Sequence, residues 1–185
     1  MNNCNRGFTL IELMLVIVIL SITLWIGLPS MGNLVEQTYR QTSLNNLISG
    51  LHLARTSAIF EQTHVTVCPL DTKNRCVRDW SQPVSIFRDP KRQRQLTSSD
   101  ALIRVIAPPK RGNLKGRTGI RRHFGFTPRG MAKDAIGHIL WCPDDADATK
   151  AYQLLINMGG RLRIARDRDS NGIVEGSNGK DVSCT

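Results

Sequence analysis

The spacing of hydrophobic positions divides the chain into three stretches. From Phe8 to Ile26 the sequence reads FTLIELMLVIVILSITLWI, an apolar run with one charge in it, Glu12. A helix of that length, rising ~1.5 Å per residue, is about long enough to cross a bilayer core of ~30 Å. Further on, Leu44, Leu47, Ile48, Leu51, Ala54, Ala58 and Ile59 follow i, i+3, i+4, i+7 spacing with polar residues between them, the mark of a helix with one buried face. One helix from Phe8 to about Gln62 is therefore predicted, with Gly27, Pro29 and Gly32 bending or loosening it midway. From His64 the period shortens. HVTVCPL, VSIFRD, ALIRVIAP, HFGFT, GHILWC and the pair YQLLIN and RLRIAR are short and rich in β-branched and apolar residues, with Gly, Pro, Asp or Asn between them. The last pair reads as a hairpin turning at Gly159 and Gly160. The fold class implied is α+β: a long N-terminal helix, half membrane segment and half amphipathic, packed on an antiparallel sheet.

Glu12 needs an explanation, because a charge inside hydrocarbon costs several kcal/mol unless it has a partner. The prefix Met1–Gly7 is polar, carries Arg6 and ends in a small residue. A secretory signal peptide would place its small residues after the apolar run, so the order here is wrong for one. A plain transmembrane anchor fits the run but leaves Glu12 unaccounted for. If the chain is cut after Gly7, the new amino group on Phe8 lies one helical turn from Glu12. In a packed array of such helices, the amine of one subunit neutralises Glu12 of the next.

The residues RGFTLIEL resemble the class III signal of type IV pilins and pseudopilins. The resemblance implies a prepilin peptidase that cuts after Gly7 and methylates Phe8, an assembly role for Glu12, and a helix-kinking proline at Pro29. The α-then-β order, HFGFTPRG, a Trp-Cys strand and INMGGRLRIARD with an acidic, glycine-rich tail ending in Cys are similar to the FimT/FimU and GspH-type minor pilins. The stretch from about Arg88 to Gly119 is the least family-like. By this resemblance residues 1–7 are a cleaved leader, 8–32 a transmembrane and filament-core helix, and 33–185 a periplasmic or extracellular globular domain of the type IV pilin-like fold. The chain would sit in the inner membrane before assembly and in a cell-surface filament, of the kind used in twitching motility, afterwards. Its implied partners are the prepilin peptidase and other major and minor pilins.

With the leader gone, Cys4 goes too, leaving Cys68, Cys76, Cys142 and Cys184, an even set facing an oxidising compartment. Four cysteines allow three pairings. Cys68 and Cys76 bracket the turn-rich PLDTKNR, which a hairpin closes easily, and Cys142 with Cys184 would then tie the tail to a strand. Zinc is disfavoured, since there is no C-x-x-C and the four histidines are scattered.

Charge changes the picture further. Between Arg88 and Lys133 thirteen basic residues stand against Asp89 and Asp100, a net +11 in a chain whose total is +10. Such concentration points to a polyanion, nucleic acid or anionic lipid, more than to ordinary solvated surface. PPKRGNLKGRTGIRRH interleaves Lys110, Arg111, Lys115, Arg117, Arg121 and Arg122 with Gly and Pro, the composition of a flexible loop that drapes along phosphates. In GGRLRIARDR the alternation sends Arg161 and Arg163 to one face of a strand and Leu162 and Ile164 to the other. Two guanidinium forks so placed each suit a phosphate, unless Asp167 or Asp169 pairs with them. GRxR also resembles the motif of FimT-type minor pilins that bind DNA in natural transformation. That resemblance gives Arg161 and Arg163 the contact, with Arg166 and Arg168 as helpers. Aromatic residues are few, so binding to duplex DNA is expected through its backbone, independent of sequence.

Two further motifs carry less. DRDSNG sets Asp167, Asp169 and Asn171 at alternate positions before Gly172, as in calcium loops, but Asn178 stands where the bidentate acid belongs, and a plain acidic turn is the better reading. There is no G-x-S-x-G, P-loop or H-E-x-x-H, and His52, His123 and His138 read as packing or surface residues. No enzyme, cofactor or metal is expected. Two functions remain: a DNA-binding minor pilin for uptake in transformation, or a structural minor pilin or pseudopilin that initiates or caps a type IV pilus or a secretion pseudopilus.

Overall fold

The computed structural model describes residues 9–119, 121–132 and 136–185. Gly7, Phe8 and Lys133 therefore lie outside the described residues. The chain separates into two compact units, residues 1–38 and 39–185.

Helix α1 spans Leu10–Phe60. In the first unit its described side chains from Leu10 to Leu24 are aliphatic apart from Glu12, Ser21 and Thr23, and all are exposed. The Ser21 and Thr23 hydroxyls donate back to carbonyls three or four residues earlier, at 2.8–3.0 Å, which hides their polarity within the helix. Among the described residues no helix is long and apolar enough to cross a membrane.

In the second unit the helix turns one face inward. Leu44, Leu47, Leu51, Ala54 and Ala58 are buried, Ile48 is half-buried, and Ile59, expected on the same face, is exposed near the helix end beside Gly130. Against that face lie two four-stranded antiparallel sheets, where the sequence predicts one. The first runs β3-β2-β1-β5, with β1 Val65–Pro69, β2 Val84–Arg88, β3 Leu102–Ile106 and β5 Phe124–Phe126. The second runs β4-β6-β7-β8, with β4 Asn113–Arg117, β6 Gly137–Cys142, β7 Tyr152–Ile156 and β8 Leu162–Ile164. The chain leaves the first sheet for β4, returns for β5 and then completes the second.

Every segment with strand periodicity forms a strand. β4 is additional and lies in what the sequence reads as a flexible basic loop. The loop reading fails for a physical reason. Leu114 is buried, and the missing side chain of Gly116 lets the Trp80 ring close down: a Cβ there would stand 2.2 Å from it. One apolar anchor and one close approach suffice to pair NLKGR with β6 along its whole length.

The core is shared by the helix face and the inner faces of both sheets, with Val65, Val67, Ile86, Phe124, Ile139, Trp141, Tyr152 and Leu154 among its members. Trp141 stacks on Tyr152 at 5.6 Å, and the buried Tyr152 hydroxyl bonds Ser43 Oγ of the helix at 3.0 Å. Burial pushes the Tyr152 phenol well above its usual range, so it stays a neutral partner there. Both disulfides form in the pairing given by the hairpin argument, Cys68–Cys76 and Cys142–Cys184.

Candidate nucleic-acid interface

Alternation along β8 carries the first part of the site. Leu162 packs on the core, while Arg161 and Arg163 are exposed. The hairpin before them is closed by backbone bonds between Asn157 and Gly160 (2.9 Å) and between Asn157 and Arg161 (3.2 Å), and the Asn157 side chain accepts the Arg161 N–H at 2.9 Å. Gly160 takes φ +72°, and a Cβ would press 2.2 Å from the Gly130 carbonyl oxygen, so this turn needs glycine. The arginine strand is thus held in register from its first residue.

Register across the second sheet adds a feature the sequence does not show. Arg117 pairs with His138, His138 with Leu155 and Leu155 with Arg163. Directly opposed residues share a face, so these four form one row across all four strands on the outer side of the sheet. At ~4.8 Å per strand the two arginines stand about 14 Å apart at the ends of the row. Arg117 and Arg163 are both exposed.

The Asp alternative for the strand arginines is not realised: among the described residues no ion pair joins Arg161 or Arg163 to Asp167 or Asp169. Asp167 instead accepts the Gly172 and Ser170 N–H groups at 2.8 and 2.7 Å, and the Gly172 bond, first, holds its carboxyl below the usual range. Asp169 accepts from Asn171. Arg166 and Arg168 are exposed and line, with Arg163 and His52, an open groove of about 1000 Å³ at the β8 edge. The buried Glu175 places them: its carboxylate accepts the Arg168 N–H at 2.9–3.0 Å and its own N–H donates to the Arg166 carbonyl at 3.2 Å. Glu175, rather than residue 178, joins Asp167 and Asp169 in an acidic trio with carboxylate oxygens within 4.8 Å of one another. All three also accept backbone N–H bonds of the turn.

The basic segment 110–122 is not one loop. Lys110 and Arg111 are exposed ahead of β4, and the Arg111 carbonyl accepts the buried Trp141 indole N–H at 3.2 Å. Lys115 is half-buried, with its Nζ donating to the Cys184 carbonyl at 2.7 Å, so it fastens the tail and is no part of a free basic surface. Arg121 closes a bridge with Thr118, and Arg121 and Arg122 line a different groove, with Arg75 and Arg94. Arg88, the first residue of the basic run, is paired with Glu61 (Nη2 to Oε1, 2.9 Å).

His138 makes the row sensitive to pH. Burial, and then the Arg117 guanidinium opposite it, hold its imidazole below the ordinary histidine value of ~6.5. Protonation therefore opposes folding: the stability due to neutral His138 is complete above about pH 6.5 and is lost as pH falls through the lower folded value. Replacing Arg117 with Gln removes the smaller cause. The His138 titration midpoint, followed by NMR of its ring protons, should rise part of the way toward 6.5. An unmoved midpoint would mean that the two side chains do not face each other as the register requires.

The fold and the N-terminus together define a class. A long N-terminal helix whose second half packs under antiparallel sheets, behind an N-methylation signal, is a type IV pilin-like protein. Residues 43–160 match the type II transport protein GspH family, and residues 2–28 match the prokaryotic N-terminal methylation motif. The chain belongs to the GspH family of minor pilins and pseudopilins, a structural family and not an enzyme. Two crystal structures of the type IV minor pilin FimU of Pseudomonas aeruginosa share the fold. One is 18% identical with TM-score 0.51, covering 85% of this chain and 100% of that one; the other is 19% identical with TM-score 0.50, covering 80% and 99%. The minor pseudopilin EpsH of the Vibrio cholerae type 2 secretion system is more distant, at 13% identity, TM-score 0.43 and 71% and 94% coverage. A comparison with curated proteins gives no significant match.

Proposed function

We propose that this chain is a minor type IV pilin that binds duplex DNA through its phosphates, independent of sequence, and serves DNA uptake in natural transformation. The observation that supports it most is the outer face of the second sheet. There Arg161 and Arg163 stand exposed with no ion pair to an acid among the described residues, and Arg117 closes the cross-strand row that begins at Arg163. A guanidinium that finds no carboxylate in its own fold is the natural partner of an external oxyanion. Arg166, Arg168, Lys110 and Arg111 add positive potential around it.

In this reading residues 1–7 are removed by a prepilin peptidase, Phe8 is methylated, and residues 8–32 anchor the chain in the inner membrane until it enters the filament. The exposed apolar side chains of the first unit then pack among other pilins, and residues 33–185 form the outward domain.

The test is a gel shift of the full-length chain in non-ionic detergent with random-sequence duplex DNA. Retardation is expected at about 50 mM salt, equal for unrelated sequences and lost as salt rises. Absence of any shift at that salt concentration would leave the purely structural reading, that of a filament-initiating or capping subunit.

Glu12 carries a separate expectation. It is the one charge in the apolar run from Phe8 to Ile26, so its replacement by Ala should abolish incorporation into filaments, read by immunoblot of sheared pili, while leaving membrane insertion intact. Normal incorporation of that variant would sink the neighbour-amine pairing.

A further inference from the structure

We infer that the disulfide hairpin, the turn after β2 and the segment before β5 together build a second phosphate-binding groove, formed by Arg75, Arg94, Arg121 and Arg122, which continues the path of a nucleic-acid backbone beyond the second sheet. The inference rests on the DNA-binding reading above but on different residues.

Three segments far apart in sequence meet here around an open groove of about 560 Å³, lined by these four arginines with Asp71, Cys76, Gln93 and His123. Among the described residues Asp71 is the only acid in the lining. Its carboxylate accepts the Lys73 and Arg75 N–H groups at 2.8 Å each and is already engaged with the Arg75 guanidinium at 3.3 Å, in a partly exposed pair of the kind that holds weakly.

The rim is fixed before any ligand arrives. Arg94 has φ +57°, a left-handed conformation that a non-glycine residue takes only when its surroundings impose it. Two contacts do so. The buried Asp89 carboxylate accepts the Gln93 and Arg94 N–H groups at 2.8 Å each, along with the Thr66 hydroxyl at 3.0 Å, and the Arg94 carbonyl accepts the Cys76 N–H at 3.0 Å. The Cys68–Cys76 disulfide closes the hairpin that carries Cys76. The backbone of Arg94 is thus clamped between a buried carboxylate and a cross-linked hairpin, while its side chain remains exposed.

Continuity decides for nucleic acid over a compact acidic peptide. Arg117 ends β4 on the outer face of the second sheet, and the Arg121 N–H returns to the Thr118 carbonyl at 3.3 Å. Arg121 and Arg122 therefore enter the groove only a few residues after the chain leaves the row. Arg117 and Arg121 thus flank an uncharged three-residue connection between the two surfaces, and a long, regularly charged polymer is the ligand that uses both ends.

The test compares 12-base-pair and 40-base-pair duplexes bound to the full-length chain in detergent, by fluorescence anisotropy across a salt series. The variant Arg94→Gln, Arg121→Gln, Arg122→Gln leaves the Arg75–Asp71 hairpin pair untouched. It should bind the short duplex nearly as wild type does. For the long duplex its slope of log K against log salt should flatten by about two to three, close to 0.9 for each phosphate released. The Arg161→Gln, Arg163→Gln variant should weaken both duplexes. A triple variant with wild-type affinity and slope for the long duplex overturns the groove, and so does one whose loss is confined to polyglutamate, offered as a competitor. A groove variant that fails while the strand variant binds normally would leave the groove standing and remove the strand site. If the triple variant melts early, Arg122→Gln alone, at an exposed position, should still flatten the slope by about one.

Discussion

The Arg161→Gln, Arg163→Gln chain is expected to bind duplex DNA roughly tenfold to thirtyfold more weakly than wild type at about 0.15 M salt, by the same factor for every sequence. Phosphate contacts position a protein on the duplex without reading bases, so no change in sequence preference should accompany the loss. The dependence of log K on log salt should flatten by about one to two units if each guanidinium displaces about one counterion. The fold should be unaffected. Both side chains are exposed, and the strand is held by its pairing to β7, by the Asn157 side chain and by Gly160. Exposed substitutions of this type usually alter stability by less than about 0.5 kcal/mol. Adding Arg117→Gln should weaken binding further, because Arg117 ends the same cross-strand row. Unchanged affinity and slope in the double variant would show that the strand is not the site.

The elements of this fold were legible because each has a strong local period. The second half of the helix keeps three-four spacing from Leu44 to Ala58, and seven of the eight strands alternate or run apolar between turn residues. β4 was not legible, since NLKGR has one apolar anchor and its stability comes from Trp80 and β6, both remote in sequence. The basic surface shows the same limit. Arg161 and Arg163 could be placed from alternation alone, a local property. That Arg117 belongs beside them while Lys115 does not depends on strand pairing and on a bond to Cys184, neither of which has a local signal. Glu175 is a similar case: nothing in EGSNG announces that its buried carboxylate will cap the Arg168 N–H. Charge counting found the polyanion-like composition, but only tertiary structure divides it into the sheet face, the groove and internally used residues such as Arg88.

The two disulfides should differ sharply in what their removal costs, and this is the largest stability effect expected. Cys142–Cys184 closes a separation of 42 residues and Cys68–Cys76 one of only 8. Chain-entropy arguments give about 4 kcal/mol for the longer loop and about 2.5 kcal/mol for the shorter. The longer bridge also holds an otherwise thin structure. The tail packs as Val182 and Cys184, with the half-buried Ile173 and Val174, over Leu140, Cys142 and Ala151, a cluster separate from the main core. Beyond the bridge, the Lys115 ammonium donates to the Cys184 carbonyl (2.7 Å), and the Val182 N–H donates to Val174 (3.1 Å), joining the two segments of the tail. Cys142→Ala with Cys184→Ala should therefore lower the melting temperature by roughly 10 °C, at about 2–4 °C per kcal/mol for a domain of this size. The Cys68→Ala, Cys76→Ala pair should lower it by distinctly less. DNA binding, measured well below both transitions, should fall more for the tail variant, because release of the tail frees Glu175 from the Arg168 N–H and unsettles Arg166 and Arg168 at the groove. Arg163 keeps its place through β7, so the loss should remain smaller than in the Arg161→Gln, Arg163→Gln chain. Equal melting temperatures for the two cysteine variants would refute the assignment of the tail bridge as the principal clamp.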